Sequence, residues 1–101
     1  MGTVESFSVA TFLPLVGDPF QLALTESNFI DLTLVEASEP QPRSGEGAGR
    51  SPFSIVFRGP LEPVLPQRIY RLRHDTLGSF ELFIVPIGPD EAGMQYEAVF
   101  G

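Results

Sequence analysis

Two runs of alternating apolar and polar residues, joined by a short polar turn, constrain the fold of this chain more than any other feature. They lie within residues 67–86, QRIYRLRHDTLGSFELFIVP. Successive side chains of a strand leave opposite faces, so this period of two predicts two half-buried strands. The connector, residues 74–78, is polar and ends in Gly, which predicts an antiparallel hairpin. The side chains predicted to point inward are those of Tyr70, Leu72, Phe80, Leu82 and Ile84.

The apolar faces of the two strands must match across such a hairpin, and that requirement selects one register. The predicted pairs are Ile69 with Phe83, Arg71 with Glu81 and Arg73 with Ser79. A slip of one residue would turn the whole apolar face outward, so the register is strongly specified.

Four further segments alternate in the same way. The predicted strands are Phe20–Thr25, Ile30–Glu36, Phe53–Arg58 and Gln95–Phe100. Before them, Ser8 can cap a helical turn from Val9 to Leu13, with Phe12, Leu15 and Val16 toward the body of the protein. We expect that turn to cover one end of the sheet. The fold class predicted is all-β: a six-stranded antiparallel barrel or a sandwich, with a mostly meander order of strands.

Residues 38–52 differ from the rest of the chain in composition. They hold no apolar residue larger than Ala and are rich in Gly and Pro. Such a segment buries too little surface to offset its ordering entropy. The sequence therefore predicts one domain, residues 1–101, with a mobile loop at 38–52.

Composition excludes several function classes. The chain has no Cys, which rules out disulfides, thiol catalysis and Cys-ligated metal. Its net charge of −7 argues against nucleic acid and anionic membranes as partners. No apolar run approaches the ~20 residues that span a bilayer, and no signal peptide opens the chain. We expect a cytoplasmic protein, able to join a larger assembly later, and no cofactor.

The polar residues give no defensible catalytic or metal site. His74 is the only histidine and has only Asp75 beside it, so a turn-capping or solvated role is favoured over a base or a ligand. Asp90 and Glu91 lie in a Gly-Pro loop without the alternating carboxylates of a calcium loop, and a polar turn is favoured there.

Four of the six basic residues lie between positions 58 and 73. They are Arg58, Arg68, Arg71 and Arg73. Such a stripe suits an anion or the carboxylates of a partner. The favoured alternative is pairing across strands with Glu81 and Glu97.

Several outward strand positions are apolar, although the outside of a lone barrel should be mostly polar. The candidate interface consists of Val56, Ile69, Phe83, Val85 and Val99, with Arg71 beside them. Apolar neighbours on an outer face indicate a covering helix or an interface. The N-terminal turn can cover part of this set; for the rest, a protein partner or self-association is expected.

A second hypothesis comes from another class of protein. The chain could be a small-ligand-binding or enzymatic barrel with a polar site at one open end. That site would use Arg58, Tyr70, His74 and Glu97.

Five stretches together resemble one known family. They read TFLPLVGDPFQLAL, FSIVFRGP, LPQRIYRLRH, GSFELFIVPIGPD and GMQYEAVF. The chain resembles a family of small bacterial proteins, the domain of unknown function DUF6916, over most of its length outside residues 38–52. Proteins of that family are often encoded near phage-tail-like collar or fibre proteins. The resemblance implies an accessory or structural role and brings no catalytic residues.

Overall fold

The structure is a computed structural model that describes residues 7–39 and 52–100. The predicted loop at 38–52 falls almost wholly outside the described residues. A short helix, α1, spans Val9–Phe12 and continues into a 3₁₀ turn at Leu13–Leu15. Six strands follow: β1 Pro19–Ala23, β2 Phe29–Ser38, β3 Phe53–Gly59, β4 Arg68–His74, β5 Gly78–Pro89 and β6 Met94–Phe100. Among the described helices, none is long and apolar enough to cross a membrane.

The six strands close into an antiparallel barrel, in the order β1-β2-β3-β6-β5-β4. The predicted all-β barrel is therefore confirmed. The predicted meander holds within each half of the chain but is wrong at the midpoint, because β3 pairs with β6 and β4 pairs with β1. The neighbours β4-β1-β2-β3 form a Greek key. The proline-rich segment 60–67 carries the chain across one end of the barrel and so makes this connection.

The hairpin β4–β5 forms in the predicted register. Ile69 lies opposite Phe83, Arg71 opposite Glu81 and Arg73 opposite Ser79. Gly78 closes the turn with a φ of 79°, a conformation that glycine adopts without a steric cost. The inward faces follow the prediction, and Leu72 and Ile84 are fully buried.

The end of the barrel nearest the N-terminus is filled by aromatic rings. Phe12 of α1 has no exposed surface, and its ring centroid lies 5.5 Å from that of Phe100 and 5.9 Å from that of Phe53. Phe7 packs edge-on against Phe80 at 5.3 Å. The prediction that the helical turn covers one end of the sheet is therefore confirmed.

The opposite end is closed by the proline-rich segment. Leu65 is buried there, and its backbone N–H donates to the hydroxyl of Tyr96 at 3.0 Å. Tyr96 is itself buried on β6. The barrel interior is thus packed along its length, and both ends of the barrel are closed.

Two residues expected inside lie outside. Leu24 is 39% exposed because β1 stops at Ala23, and residues 24–28 form a turn in which the Leu24 N–H donates to the Asn28 carbonyl. Val16 is 44% exposed because the chain leaves the helical turn there and runs along β2, where the Gly17 N–H donates to the Leu34 carbonyl.

Two bulges bend the longest strands. The register shifts between Leu34 and Glu36 on β2 and between Pro86 and Gly88 on β5. Gly88 has a φ of 118°, which a side chain would disfavour. A bulge kinks its strand, so each bend helps β2 and β5 to wrap around the core.

Phe12→Ala tests whether α1 closes one end of the barrel. Truncating a fully buried Phe removes its transfer free energy and leaves a cavity, so we expect a loss of about 3–5 kcal/mol in the free energy of unfolding, measured in urea. The neighbouring Leu13 is 53% exposed, and Leu13→Ala should change stability by no more than about 0.5 kcal/mol. Equal losses in the free energy of unfolding of the two variants would contradict this role of α1.

Candidate functional site

The outside of the barrel carries a group of apolar side chains on neighbouring strands, which we call the outer apolar face. Its members are Val56 on β3, Ile69 on β4, Phe83 and Val85 on β5, and Val99 on β6. Three of them are more than half exposed: Ile69 at 62%, Phe83 at 51% and Val99 at 69%. Val56 and Val85 are half-buried.

Strand register brings these residues together. Ile69 pairs directly with Phe83 across β4 and β5. Glu97 of β6 pairs with Val85 on one side and with Val56 on the other. The face therefore spans four neighbouring strands, β4-β5-β6-β3. The helix that could have covered it lies at the end of the barrel instead.

Charged residues lie beside the outer apolar face and within it. Arg71 is exposed and pairs in register with Glu81. Glu97 is half-buried between Val56 and Val85. Within residues 7–39 and 52–100 the ion pair is that of Arg58 with Asp90, and Asp18 accepts a hydrogen bond from His74, so neither Arg71 nor Glu97 has a charged partner there.

The predicted cross-strand pairing holds in register for Arg71 with Glu81, although they form no ion pair among the described residues, and no arginine pairs with Glu97. Arg58 binds Asp90 instead: its Nε donates to Oδ2 at 2.9 Å, and Nη2 donates to the same oxygen at 2.5 Å. The reason is position, since Arg58 lies near the end of β3 beside the loop that joins β5 to β6. Backbone amides of Ala92 and Gly93 donate to the other carboxylate oxygen.

The loop at Asp90 is a tight turn that is held by hydrogen bonds and close packing. A Cβ on Gly93 would overlap the carbonyl oxygen of Gly59, so only glycine allows this close approach. The Arg58 guanidinium, helped by the Ala92 amide, lowers the pKa of the Asp90 carboxyl from its usual value. Both oxygens of Asp90 already accept hydrogen bonds, as the predicted polar turn requires.

The remaining arginines of the stripe do not converge on a common point. Arg73 donates to the side-chain oxygen of Gln21 from Nε at 3.1 Å and from Nη2 at 2.6 Å. The guanidinium of Arg68 lies 5.9 Å from the centroid of the Tyr70 ring. Each arginine thus stabilises its own part of the surface, and the structure gives no shared anion site among them.

His74 is buried, with 6% of its surface exposed, and caps the hairpin turn. Its Nδ1 accepts the backbone N–H groups of Thr76 at 3.0 Å and Leu77 at 3.3 Å. Since Nδ1 accepts, Nε2 carries the proton and donates to Oδ2 of Asp18 at 3.0 Å. The predicted turn-capping role is confirmed. The partner is Asp18 and not Asp75, a contact between distant residues that local sequence does not reveal.

The Asp18–His74 pair borders a polar cleft of about 510 Å³. An Asp–His pair serves catalysis when the second imidazole nitrogen faces a nucleophile or substrate. Here the second nitrogen is taken up by the turn amides, so it cannot accept a proton from a reacting group. The pair holds the start of β1 to the end of β4.

The four residues of the alternative ligand site do not come together. Arg58 is tied to Asp90 at one end of β3, whereas His74 lies at the turn end of β4. Tyr70 points inward, and its hydroxyl donates to the Pro66 carbonyl at 2.6 Å. Glu97 faces outward between two valines. Burial raises the pKa of the Tyr70 phenol, with a smaller opposite effect of Arg68.

His74→Phe tests the structural role of the imidazole. The change keeps an aromatic ring but removes the acceptor of the partly buried amides of Thr76 and Leu77, at a cost of about 0.5–1.5 kcal/mol for each lost hydrogen bond. We expect a lower free energy of unfolding and faster hydrogen exchange at those two amides. Asp75→Ala, at an exposed neighbour, should alter stability by about 0.5 kcal/mol or less. Unchanged exchange at both amides would contradict the cap.

Asp90→Asn tests the ion pair through its pH dependence. A carboxyl whose folded-state pKa is lowered stabilises the fold above the unfolded pKa of about 3.9, and that stabilisation is lost as pH falls through the folded pKa. The wild type should therefore be more stable than Asp90→Asn at neutral pH, and the difference should shrink below about pH 4. Urea unfolding across this range measures it. A difference that stays constant down to about pH 2 would contradict the assignment.

Comparison with known proteins identifies a family and no characterised relative. A family model described as Domain of unknown function (DUF6916) matches residues 7–100. The matched region contains α1 and all six strands of the barrel. No curated protein and no solved structure shows significant similarity to the chain. The resemblance read from the sequence is confirmed at the level of the family.

Proposed function

The chain belongs to the family described as Domain of unknown function (DUF6916), and we propose that it serves there as a non-enzymatic interaction and assembly module. The observation that carries this proposal is the outer apolar face. Ile69, Phe83 and Val99 are each more than half exposed on adjoining strands. An apolar surface of this kind on a closed barrel marks a contact with another protein.

Burial of this face would favour association. Burying a Val, Ile or Phe side chain is worth about 1.5–3 kcal/mol relative to leaving it exposed. Three such side chains, with the half-buried Val56 and Val85 around them, form the apolar centre that interfaces use as their anchor. The charged residues Arg71 and Glu81 lie at one side of that centre, and Glu97 lies within it between Val56 and Val85.

The polar groups favour a binding module over an enzyme. Both nitrogens of His74 are bound within the fold, and Asp90 is held by Arg58 and two backbone amides. The barrel interior is filled by Phe and Leu side chains from one end to the other. These groups serve the stability of the barrel, which presents the outer apolar face as a rigid surface.

We place this module in a phage-tail-like apparatus, as an accessory or structural component. That setting follows from the resemblance to proteins often encoded near phage-tail-like collar or fibre proteins. A small barrel that is closed at both ends and apolar on one side suits a component that docks among other subunits. Such a component needs no active site or bound ligand.

Site-specific photo-crosslinking tests the proposal. A photoreactive phenylalanine analogue at position 83 should yield a defined crosslinked product in cells that naturally produce the chain. The matched control is position 33, an exposed residue on β2, which lies on the opposite side of the barrel from β5. We expect a tail-like structural protein or this chain itself in the product at position 83. No product at 83, or the same products at 83 and 33, would contradict the proposal.

A further inference from the structure

Phe83 is the centre of a symmetric arrangement of opposite charges. Two residues before Phe83 on β5, Glu81 pairs with Arg71 of β4. Two residues after it, Val85 pairs with Glu97 of β6. Arg71 and Glu97 therefore lie on opposite sides of Phe83, each one strand away and displaced in opposite directions along the strands.

From this arrangement we propose that the outer apolar face binds a second copy of the same chain across a two-fold axis that passes by Phe83. The two-fold rotation places the β4 side of one copy against the β6 side of the other. It brings Arg71 of one copy to Glu97 of the other, and it does so twice in each dimer. Phe83 meets its own counterpart at the centre. This inference rests on the proposed function and names the partner.

The same operation matches the apolar residues. Ile69 lies beside Phe83 on β4, and Val85 lies two residues along β5 on the side of Glu97. The axis that pairs Arg71 with Glu97 places Ile69 of one copy near Val85 of the other. A self-complementary patch of this kind is what an isologous interface requires.

The distribution of charge favours a second copy over a strongly charged partner. The chain has a net charge of −7, so most of its surface repels another copy. The β4 side of the outer apolar face is the exception, since Arg71 and Arg73 lie at outward positions there. Glu97 and Arg71 have no ion-pair partner within the described residues, and the dimer supplies one to each.

Exchanging the two charges gives a test with a built-in rescue. Arg71→Glu should weaken self-association because it sets two carboxylates against each other across the interface. Glu97→Arg should weaken it because two guanidinium groups then face each other at the same contact. Because each change acts twice in the dimer, we expect at least roughly ten-fold weaker self-association in either variant. In a heterodimer of the two variants, opposite charges face each other at both contacts. An equimolar mixture should therefore form a heterodimer only if Arg71 of one copy does contact Glu97 of the other.

The mixture and the double variant both restore two contacts, but with different combinations of replaced and original residues. In the mixed dimer, one of the two contacts joins the two replaced residues and the other joins the two original ones, so both are opposite-charge pairs. The double variant Arg71→Glu, Glu97→Arg restores both contacts within a homodimer. Both species should therefore associate more tightly than either single variant does alone.

Sedimentation velocity of the wild type, the three variants and the mixture measures these species, and thermal unfolding confirms that each variant is folded. Arg73→Glu is the matched control, because it makes the same charge change on the same strand two residues farther from Phe83. It should weaken self-association less than Arg71→Glu does. A small effect of the control, together with recovery in the mixture and in the double variant, supports the two-fold pairing.

Two results would overturn the inference. One is a wild type that stays at its monomer mass of 11.0 kDa at every concentration; the other is a mixture that stays monomeric while the wild type dimerises. In the first case, a crosslink from position 83 to a different protein would leave the proposed function standing. Loss of both the dimer and every crosslink from position 83 would remove the two together.

Discussion

Closure of the barrel by two non-consecutive strand pairs is the constraint on which the rest of the structure depends. The β3–β6 ladder runs from Phe53 with Phe100 to Gly59 with Met94, but β1 meets β4 only through Gln21 with Arg73 and Leu22 with Leu72. The side-chain hydrogen bonds between Arg73 and Gln21 reinforce the short ladder. At the same seam, the buried His74 donates to Asp18 just before β1 begins. The most conspicuous polar residues of the sequence are thus used to close the barrel.

Closure of the barrel also determines which apolar residues remain on the surface and are available for binding. Once the inward faces of all six strands are packed and the two ends are stoppered by Phe12 and Leu65, additional apolar residues can lie only outside. Some of them cluster, because strand register aligns Ile69 with Phe83 and sets Val56 and Val85 on either side of Glu97. A stable core and an apolar exterior are separate features here, and the second stays exposed within residues 7–39 and 52–100. That separation supports an assembly role.

The sequence predicted local structure better than long-range placement. Alternation indicated the strands and inward faces, and the Gly-ended turn indicated the β4–β5 register, because both depend on neighbouring residues. The predicted meander fails only between β3 and β4, because no local signal tells β3 to pair with β6. The Asp18–His74 and Arg58–Asp90 contacts were missed for the same reason, since they join residues 56 and 32 positions apart. The exposed members of the outer apolar face could be predicted, because facing direction follows from period two once the core face is known.

A dilution series followed by two-dimensional NMR tests the central claim, that the outer apolar face is a contact surface of the chain with itself. The account predicts concentration-dependent shifts for the signals of Ile69, Phe83, Val99 and their neighbours on β4, β5 and β6. Signals of Asp31 and Thr33 on β2, on the far side of the barrel, should stay in place. Spectra that do not change with concentration, or shifts that spread evenly over all six strands, would contradict it.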